Sequence, residues 1–204
     1  MEILPREFYN RSALTVARDL LGKHLVRLDD GRRISGVIVE TEAYQGEDDL
    51  GCHARAGRTP RTQIMYGAPG HAYVYFTYGM HWMLNAVTDG LDVPAAVLLR
   101  AVIPLEGMDI IAGRRAGVPR AQWTDGPAKL CKSFNIDRTL NGADLCDPAG
   151  EIWIEMGGTI SDSAMHTGAR IGLYSVPEPW KSIPWRFWVT PGEINSPAQN
   201  RNEP

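Results

Sequence analysis

Two carboxylates and a phenol follow an apolar run near residue 40. The stretch GVIVETEAY places Glu40, Glu42 and Tyr44 at alternate positions. Successive side chains of a β-strand point to opposite faces, so these three are predicted to share one face. The opposite face would then carry Val37, Val39, Thr41 and Ala43. A carboxylate beside a second acid and a phenol can act as a general base when its surroundings set its pKa, although a solvent-facing glutamate on a half-exposed strand is the alternative.

A single arginine, Arg100, interrupts the otherwise apolar stretch AAVLLRAVI. A buried guanidinium needs an acidic partner, and Glu40 and Glu42 are the candidates. An edge-strand arginine whose head group reaches water is the alternative interpretation. The sequence therefore allows one buried group of charges that combines residues from two strands.

Tyrosines outnumber phenylalanines in this chain by seven to four, which indicates a wet, aromatic cavity, with ordinary core packing as the alternative. The tyrosines of interest come from two predicted strands and a hairpin tip: Tyr44, Tyr73, Tyr75 and Tyr78. Asn85 stands alone among apolar residues, and its amide needs partners if it is buried. His53 falls in a predicted loop and His81 at the predicted tip, where a lone histidine is more often structural or exposed than functional.

Composition indicates a single domain over residues 1–204, with 44% hydrophobic and 22% charged residues. No apolar run approaches the ~18 residues of a membrane span, and the start MEILPREF lacks the apolar region of a signal peptide, so we expect a soluble, cytoplasmic protein. Three widely spaced cysteines support neither a disulfide framework nor a zinc site, and we expect free thiols. The motifs of zincins, hydrolase elbows and nucleotide-binding loops do not occur, so no metal and no cofactor is predicted.

The net charge of −3 gives no global signature of a nucleic-acid binder, but the basic residues are clustered. The stretch HARAGRTPRT contains Arg55, Arg58 and Arg61 and no acid. Further groups are formed by Arg114, Arg115 and Arg120, and by Lys129 and Lys132. If folding brings these groups to one face, they form a phosphate-binding surface, and the alternative is that they are scattered, solvated charges.

Hydrophobic periodicity predicts an α+β fold in which helices flank a curved, mainly antiparallel sheet with a protruding hairpin. Helices are predicted at 12–21, 105–115 and 126–134, the last with proline at its first position. Strands are predicted at 23–28, 33–44, 73–78, 82–88, 95–103, 151–155, 169–174 and 185–190. Residues 78–81 would form the tip of the hairpin, residues 47–70 a long loop, and residues 192–204 a flexible tail.

Five segments of the chain, in this order, resemble the alkyladenine (3-methyladenine) DNA glycosylase family: GVIVETEAYQGEDDLGCHARAGRTPR, MYGAPGHAYVYFTYGMHWMLN, AAVLLRAVIPLEG, DGPAKLCKSFNI and ARIGL. The resemblance covers nearly the whole chain, and its ETEAY and Y-x-x-YGM-x-x-x-x-N blocks are specific. It implies that Glu42 is the general base that activates a water molecule. Arg100 and the backbone carbonyl of Ile171 would help to hold that water.

The resemblance also implies a pocket for an extruded base. The rings of Tyr44 and Tyr75 would sandwich the base, and His53 would line the pocket. Asn85 would discourage guanine by a clash with its exocyclic amine. At the hairpin tip, Tyr78 would enter the duplex in place of the flipped nucleotide, with Met80 and His81 beside it. The DNA backbone would be held by four basic residues: Arg55, Arg58, Arg61 and Lys129.

The implied activity is monofunctional hydrolysis of the N-glycosidic bond of alkylated purines, namely 3-methyladenine, 7-methylguanine and ethenoadenine, together with hypoxanthine. The implied partner is double-stranded DNA that contains damaged purines, and we expect a nucleoid-associated monomer without a cofactor and without membrane contact. A non-catalytic module that binds damaged or single-stranded DNA is one alternative. A hydrolase of small nucleosides is another.

Overall fold

The computed structural model of the protein describes residues 2–194. Its strands are β1 (His24–Asp29), β2 (Arg32–Gln45), β3 (Ala72–Thr77), β4 (His81–Val87), β5 (Ala95–Glu106), β6 (Ile152–Glu155), β7 (Met165–Gly168) and β8 (Arg186–Val189). Its α-helices are α1 (Arg6–Tyr9), α2 (Ala13–Asp19), α3 (Met108–Arg114) and α4 (Pro127–Phe134). Short 3-10 helices occur at His53–Ala56, Gln63–Tyr66, Arg120–Gln122, Arg138–Leu140, Asp162–Ala164 and Pro191–Glu193.

Within residues 2–194 the strands form one antiparallel sheet of eight strands in the order β3-β4-β5-β2-β1-β6, to which β8 adds through β2 and β7 through β8. The predicted α+β class is therefore confirmed, as are the β1–β2 and β3–β4 hairpins. None of the helices in the described part of the chain is long and apolar enough to cross a membrane. The three cysteines are free, as expected.

The pairing of β2 with β5 contains two compensating bulges beside Glu40. The register shifts once before Glu40 and once after it, which leaves Val39 on β2 and Arg100 on β5 without a residue opposite. A bulge bends its strand locally and changes the direction of the side chains that follow. The two bulges therefore lie beside the acidic residues that the sequence singled out.

The predicted alternation of side chains along β2 is wrong before Val39, because of the bulge at that residue. Ile38, which precedes the bulge, and Ala43, which follows it, both belong to the main core cluster, whereas Val37 does not. The expectation that Val37 shares a face with Thr41 is wrong because the extra residue inverts the alternation. After the bulge the predicted order holds, since the Thr41 hydroxyl donates to the carbonyl oxygen of Ala17 in α2, over 2.7 Å, on the face away from Glu42.

Two hydrophobic clusters lie on opposite faces of the sheet. The main core packs α2 and α4 against the sheet and includes Ala86 and Val97. The neighbouring residues of the same strands, Val87 and Ala96, belong to a second cluster with Cys52, Ala54, Met65, Tyr66 and Tyr73. The long predicted loop 47–70 contributes to this second cluster through its two 3-10 helices. The second cluster forms the base on which Tyr44 and Tyr75 rest.

Two predicted elements are wrong in type or extent. The helix predicted at 105–115 begins only at Met108, because β5 continues to Glu106 and Gly107, at a φ of 71°, starts the helix. The segment 169–174 is irregular rather than a strand, because Arg170 turns inward to a buried partner and Gly172 adopts a φ of 87°. Besides β2, β8 pairs with β7, a strand that the sequence reasoning missed.

The predicted tail falls mostly outside the described residues. Gly192 and Glu193 belong to the 3-10 helix at Pro191–Glu193, and residues 195–204 are not described.

Candidate active site

A cleft of about 320 Å³ opens on the face of the second cluster, between β2, β3, β4 and β5. Eight of the site residues predicted from the sequence line it: Tyr44, His53, Arg55, Tyr75, Tyr78, Asn85, Arg100 and Ile171. Antiparallel pairing explains this convergence, because Asn85 of β4 lies opposite Tyr73 of β3 on one side and opposite Leu98 of β5 on the other. Side chains of equal parity on adjacent strands then point into the same space.

Glu42 lies behind the cleft with no exposed surface. Its Oε1 accepts a hydrogen bond of 2.7 Å from the Ile171 backbone N–H and lies 3.2 Å from the Arg100 guanidinium, and its Oε2 accepts the Tyr44 hydroxyl over 2.7 Å. All three donors line the cleft. The alternative of a solvent-facing glutamate is therefore wrong.

The protonation of Glu42 is set by opposing influences. Burial raises the pKa of this carboxyl above its usual range, and the charge of Glu40 acts in the same direction. Arg100, the Ile171 N–H and the Tyr44 hydroxyl lower the pKa again, because each stabilises the ionised form. The result is a raised pKa in a carboxylate that three donors nevertheless hold in place, which is an arrangement suited to proton transfer.

Arg100 joins both acidic residues of β2. Its Nε donates to Glu40 Oε1 over 2.8 Å, while its NH1 faces Glu42, and Arg186 of β8 reaches the same Glu40 oxygen over 3.2 Å. Arg100 is only 8% exposed, so the interpretation of an edge arginine that reaches water is wrong. Glu40 thus orients the guanidinium that faces Glu42.

The aromatic wall of the cleft is built around Tyr75. The ring of His53 meets Tyr75 edge-on with centroids 4.6 Å apart, and Tyr73 lies 5.3 Å from Tyr75. His53 Nδ1 lies 3.0 Å from the Tyr73 hydroxyl, and its Nε2 lies 3.3 Å from Arg61. A guanidinium can only donate, so Nε2 accepts and the proton is assigned to Nδ1, which donates to Tyr73.

Burial lowers the pKa of His53 to about 4, and the positive charges of Arg61 and Arg55 act in the same direction. The imidazole is therefore neutral at physiological pH. Asn85 is also buried, and its Nδ2 donates to the Tyr73 carbonyl oxygen over 3.0 Å. This hydrogen bond meets the requirement for a partner and fixes the amide at the cleft wall.

The hairpin tip carries exposed apolar side chains. Tyr78 adopts a φ of 52° in the turn between β3 and β4 and is 78% exposed. Met80 is also exposed, and His81 begins β4 on the exposed side of the turn. An aromatic ring held out in a left-handed backbone conformation is unusual, because that conformation costs a residue with a Cβ roughly 1–2 kcal/mol.

The comparison with known proteins identifies the family. Residues 7–193 match the family model described as Methylpurine-DNA glycosylase (MPG). The chain belongs to the methylpurine-DNA glycosylase family. The resemblance seen in the sequence is therefore confirmed, and the protein is an enzyme of a class that hydrolyses N-glycosyl bonds in DNA repair.

Similar proteins match the chain over all or nearly all of its length. A protein of Methanocella arvoryzae is 46% identical over 100% of this chain and 98% of its own length. One of Myxococcus xanthus is 45% identical over 100% of both chains, and one of Carboxydothermus hydrogenoformans is 45% identical over 92% of this chain and 95% of its own. Each carries the name "Putative 3-methyladenine DNA glycosylase".

The four basic residues expected at the DNA backbone all have partners within the protein, and two of them, Arg55 and Arg61, lie at the cleft. Arg55 lines the cleft and donates to the Leu50 carbonyl oxygen over 2.7 Å. Arg58 pairs with Asp92, and Lys129 lies 2.9 Å from Asp125. Arg61 covers the Tyr75 ring at 5.0 Å. In the ranges that the structure describes, no group of three or more His, Cys, Asp or Glu side chains is arranged to hold a metal ion.

Sequence reasoning missed two residues that support this site. Arg170 lies beneath the Tyr44 ring, with its Cζ 4.6 Å from the ring centroid, and binds Asp49. The signal for Arg170 was present, since ARIGL belongs to the matched segments, but the alternation of that stretch was interpreted as a strand. Asp49 lies in the segment predicted as a long loop, and nothing in the sequence links it to a partner 121 residues away.

Proposed function

We propose that this glycosylase extrudes a damaged purine from duplex DNA into the cleft and hydrolyses its N-glycosidic bond with a water molecule activated by Glu42. The observation that supports this proposal is the buried Glu42 carboxylate, held by donors from Arg100, Ile171 and Tyr44 directly behind an aromatic cleft. A buried acid with this many partners is suited to chemistry rather than to solubility.

The aromatic walls fit a positively charged base. Methylation of a purine at N3 or N7 makes the ring cationic, and tyrosine faces attract cations by about 0.5–2 kcal/mol when desolvated. Burial raises the pKa of Tyr44 and of Tyr75, so both phenols stay neutral and keep their hydroxyl donors. We place the flipped base between these two rings, with the cationic 3-methyladenine and 7-methylguanine as substrates, and ethenoadenine, which is neutral, as a substrate held by stacking on the same rings.

The hydrolytic step uses the remaining hydrogen-bonding capacity of Glu42. A carboxylate offers about four lone-pair sites. Oε1 already has two partners and Oε2 has one, so a lone pair of Oε2 is free to accept a water O–H. The C1′–N bond breaks and its electron pair leaves with the purine, the water oxygen bonds to C1′, and Glu42 takes the water proton. A cationic purine is a good leaving group, and the sugar passes through an oxocarbenium-like state.

Neutral lesions such as hypoxanthine need recognition by hydrogen bonds rather than by charge. His53 is the proposed reader, because its neutral ring lies against Tyr75 and its Nε2 is held only by the exposed Arg61. Asn85 is the proposed barrier to guanine, because its amide is fixed by the Tyr73 carbonyl and cannot turn away from an exocyclic amine. Selectivity of this kind depends on leaving a wrong base with unpaired polar groups or a clash.

The hairpin tip is proposed to fill the space that the flipped nucleotide leaves. Extrusion costs a few kcal/mol, and an inserted aromatic or apolar side chain offsets part of the lost stacking. Tyr78 presents its ring to solvent for this purpose, with Met80 and His81 beside it. Arg55, Arg58, Arg61 and Lys129 would bind phosphates after exchanging their present partners. Binding through these cations should depend steeply on salt, because each phosphate contact releases condensed counterions from the DNA.

The test is excision from a duplex oligonucleotide that contains hypoxanthine or ethenoadenine, scored as abasic sites. Wild-type protein should release the base, and Glu42→Gln should lose at least ~10²-fold of the rate, in line with the contribution of general-base catalysis. Glu151→Gln, an exposed acid next to β6 at the far edge of the sheet, is the matched control and should retain full activity. Equal binding of damaged and intact duplex without base release would instead indicate a non-catalytic binding module.

A further inference from the structure

Arg170 and Asp49 form an ion pair in which neither side chain is exposed. Arg170 NH1 lies 2.5 Å from Asp49 Oδ2, and NH2 lies 2.7 Å from Oδ1, which is the two-point geometry that guanidinium and carboxylate prefer. Removing two charges from water costs several kcal/mol for each ion, and hydrophobic replacement of such pairs is often neutral or stabilising. Stability alone therefore does not account for this pair.

The Arg170–Asp49 pair contacts the candidate active site through Tyr44 and Ala43 of β2. The Arg170 guanidinium lies 4.6 Å from the centre of the Tyr44 ring and donates to the Ala43 carbonyl oxygen over 3.0 Å. The next residue along the chain is Ile171, whose N–H donates to Glu42 Oε1. One side chain thus touches the two strand residues that follow Glu42, and it precedes the backbone N–H that is one of the Glu42 donors.

Asp49 connects this arrangement to the loop on the other side of the cleft. Its Oδ1 accepts the Gly51 N–H over 2.9 Å, and its Oδ2 accepts the Gln45 N–H over 3.3 Å. A Cβ at Gly51 would lie 2.8 Å from Arg170 NH2, so the loop approaches the guanidinium as closely as glycine permits. The ion pair therefore sets the position of the cleft wall at Gly51 as well as the position of Ile171.

We propose that Arg170 and Asp49 are positioning residues of the glycosylase reaction, which hold the Ile171 N–H on Glu42 and support the underside of the Tyr44 ring. This inference rests on the proposed function of Glu42. Ile171 needs such support, because its own side chain is 44% exposed and the adjacent Gly172 has a φ of 87°. Without the ion pair, the donor would no longer be held on the carboxylate.

The loss of this donor has a defined effect on protonation. An N–H that donates to a carboxylate favours its ionised form, so removal of the donor raises the pKa of Glu42. A general base must be ionised, so the acidic limb of the pH–rate profile moves to higher pH. The other charged or titratable groups that face Glu42 or its partners are not substituted in these variants: Arg100 from β5, Glu40 and Tyr44 from β2, Tyr75 from β3 and Arg186 from β8.

The experiment replaces the pair without leaving one charge unpaired. The double variant Asp49→Asn/Arg170→Met keeps an acceptor for the Gly51 N–H and a side chain of similar length. Single-turnover base release should fall about 10- to 100-fold, and the acidic limb should move up by about one pH unit, as expected for loss of one hydrogen bond to a charged group. Affinity for the lesion-containing duplex should change much less than the rate.

The matched control is Glu155→Gln/Arg33→Met. Arg33 and Glu155 also form a two-point pair, with N–O distances of 3.0 and 2.8 Å, at the edge of the sheet formed by β6. This variant should keep the wild-type profile. Arg170→Lys retains the positive charge but not the two-point geometry of the guanidinium, so it should move the acidic limb less, in the same direction. This variant replaces the double variant in the test if the double variant does not fold.

Glu42 can also be titrated directly by carbon NMR of labelled glutamate, a measurement that needs no turnover. An upward shift of its pKa in the Arg170 variants supports the inference. A wild-type titration curve and a wild-type acidic limb in these variants would overturn it, whereas absence of base release by the wild type would count against the proposed function instead.

Discussion

Tyr44 donates its hydroxyl hydrogen to Oε2 of Glu42 over 2.7 Å, although only one residue separates them on the same strand. Alternation places the two side chains on one face, and the phenol is long enough to reach around to the carboxylate. The ring of Tyr44 lines the cleft while its hydroxyl holds the acid. A single residue therefore contributes to the proposed base-binding wall and to the proposed catalytic group at the same time.

Tyr44→Phe separates these two contributions. The ring remains, but Glu42 loses a donor that favours its ionised form, so its pKa rises further. We expect base release at neutral pH to fall several-fold to about 10-fold, with the acidic limb of the pH–rate profile moved to higher pH. Affinity for lesion-containing duplex should stay within about twofold of wild type. An unchanged acidic limb would contradict the assignment of Glu42 as the general base.

Glu40→Gln should shift the same limb in the opposite direction. The charge of Glu40 raises the pKa of Glu42, so its removal lowers that pKa. Glutamine keeps an acceptor for Arg100 Nε, which holds the guanidinium in place. We therefore expect near wild-type release at neutral pH and an acidic limb at lower pH, measured in the same single-turnover assay.

Arg100→Met provides the contrast to Glu40→Gln. It leaves the buried Glu42 without its cation, whereas the partly exposed Glu40 keeps Arg186, and the unpaired buried charge should cost about 3–5 kcal/mol of unfolding free energy. Loss of the cation also removes an influence that lowers the pKa of Glu42, so this pKa rises further and base release at neutral pH should fall at least ~10-fold. The unfolding free energy from urea titration and the release rate are both measured, and a loss of rate without a loss of stability would contradict this account.

The convergence of the candidate site residues could be predicted from the sequence, because these residues belong to strands with clear alternation and to specific motifs. Glu42 and Tyr44 share a face as expected, and Arg100 finds the acidic partner that its apolar surroundings required. The bulge at Val39 could not be predicted from the sequence. The extra residue on β2 is matched by an extra residue on β5, so the apolar pattern of both strands stays intact, and only the pairing of the two strands in the structure shows the bulge.

The role of the segment after Gly168 was also beyond sequence reasoning. Its alternation of apolar and polar residues is typical of a strand, but a long-range ion pair between Arg170 and Asp49 overrides that pattern. Contacts of this kind depend on the closure of a loop of more than a hundred residues, about which local periodicity carries no information. The predicted α+β class did not depend on this segment, since strands β1 to β5 form most of the sheet.

The depressed pKa of His53, about 4, predicts a pH dependence of stability. The unfolded chain binds a proton near the ordinary histidine pKa of about 6.5, while the folded chain does not bind it until about pH 4. The contribution of His53 to stability is therefore fully present above about pH 6.5 and is lost as the pH falls toward 4. Chemical denaturation at several pH values should show that the unfolding free energy falls between about pH 6.5 and 4, and His53→Gln should remove the His53 contribution to this fall.

Proton NMR of the wild type should show the His53 ring titrating with a midpoint near 4. A midpoint near 6.5 would contradict the assignment of His53 as buried and neutral.

Tyr78→Gly should make the protein slightly more stable and less active. The φ of 52° at Tyr78 disfavours any residue with a Cβ, and the ring is mostly exposed, so glycine removes strain at little cost in packing. Flexibility of glycine in the unfolded chain offsets part of this gain, and we expect a net increase of up to about 1 kcal/mol in the unfolding free energy. Base release from duplex DNA should fall at least 10-fold, because nothing then fills the space of the extruded nucleotide. Release from a single strand that carries the same lesion should change little, since no base pair has to be opened there.

Tyr78→Ala is the control, because it keeps the Cβ and the strained φ. It should lose activity on duplex DNA without the gain in unfolding free energy. Equal unfolding free energies of the two variants would show that the backbone at the hairpin tip is not strained.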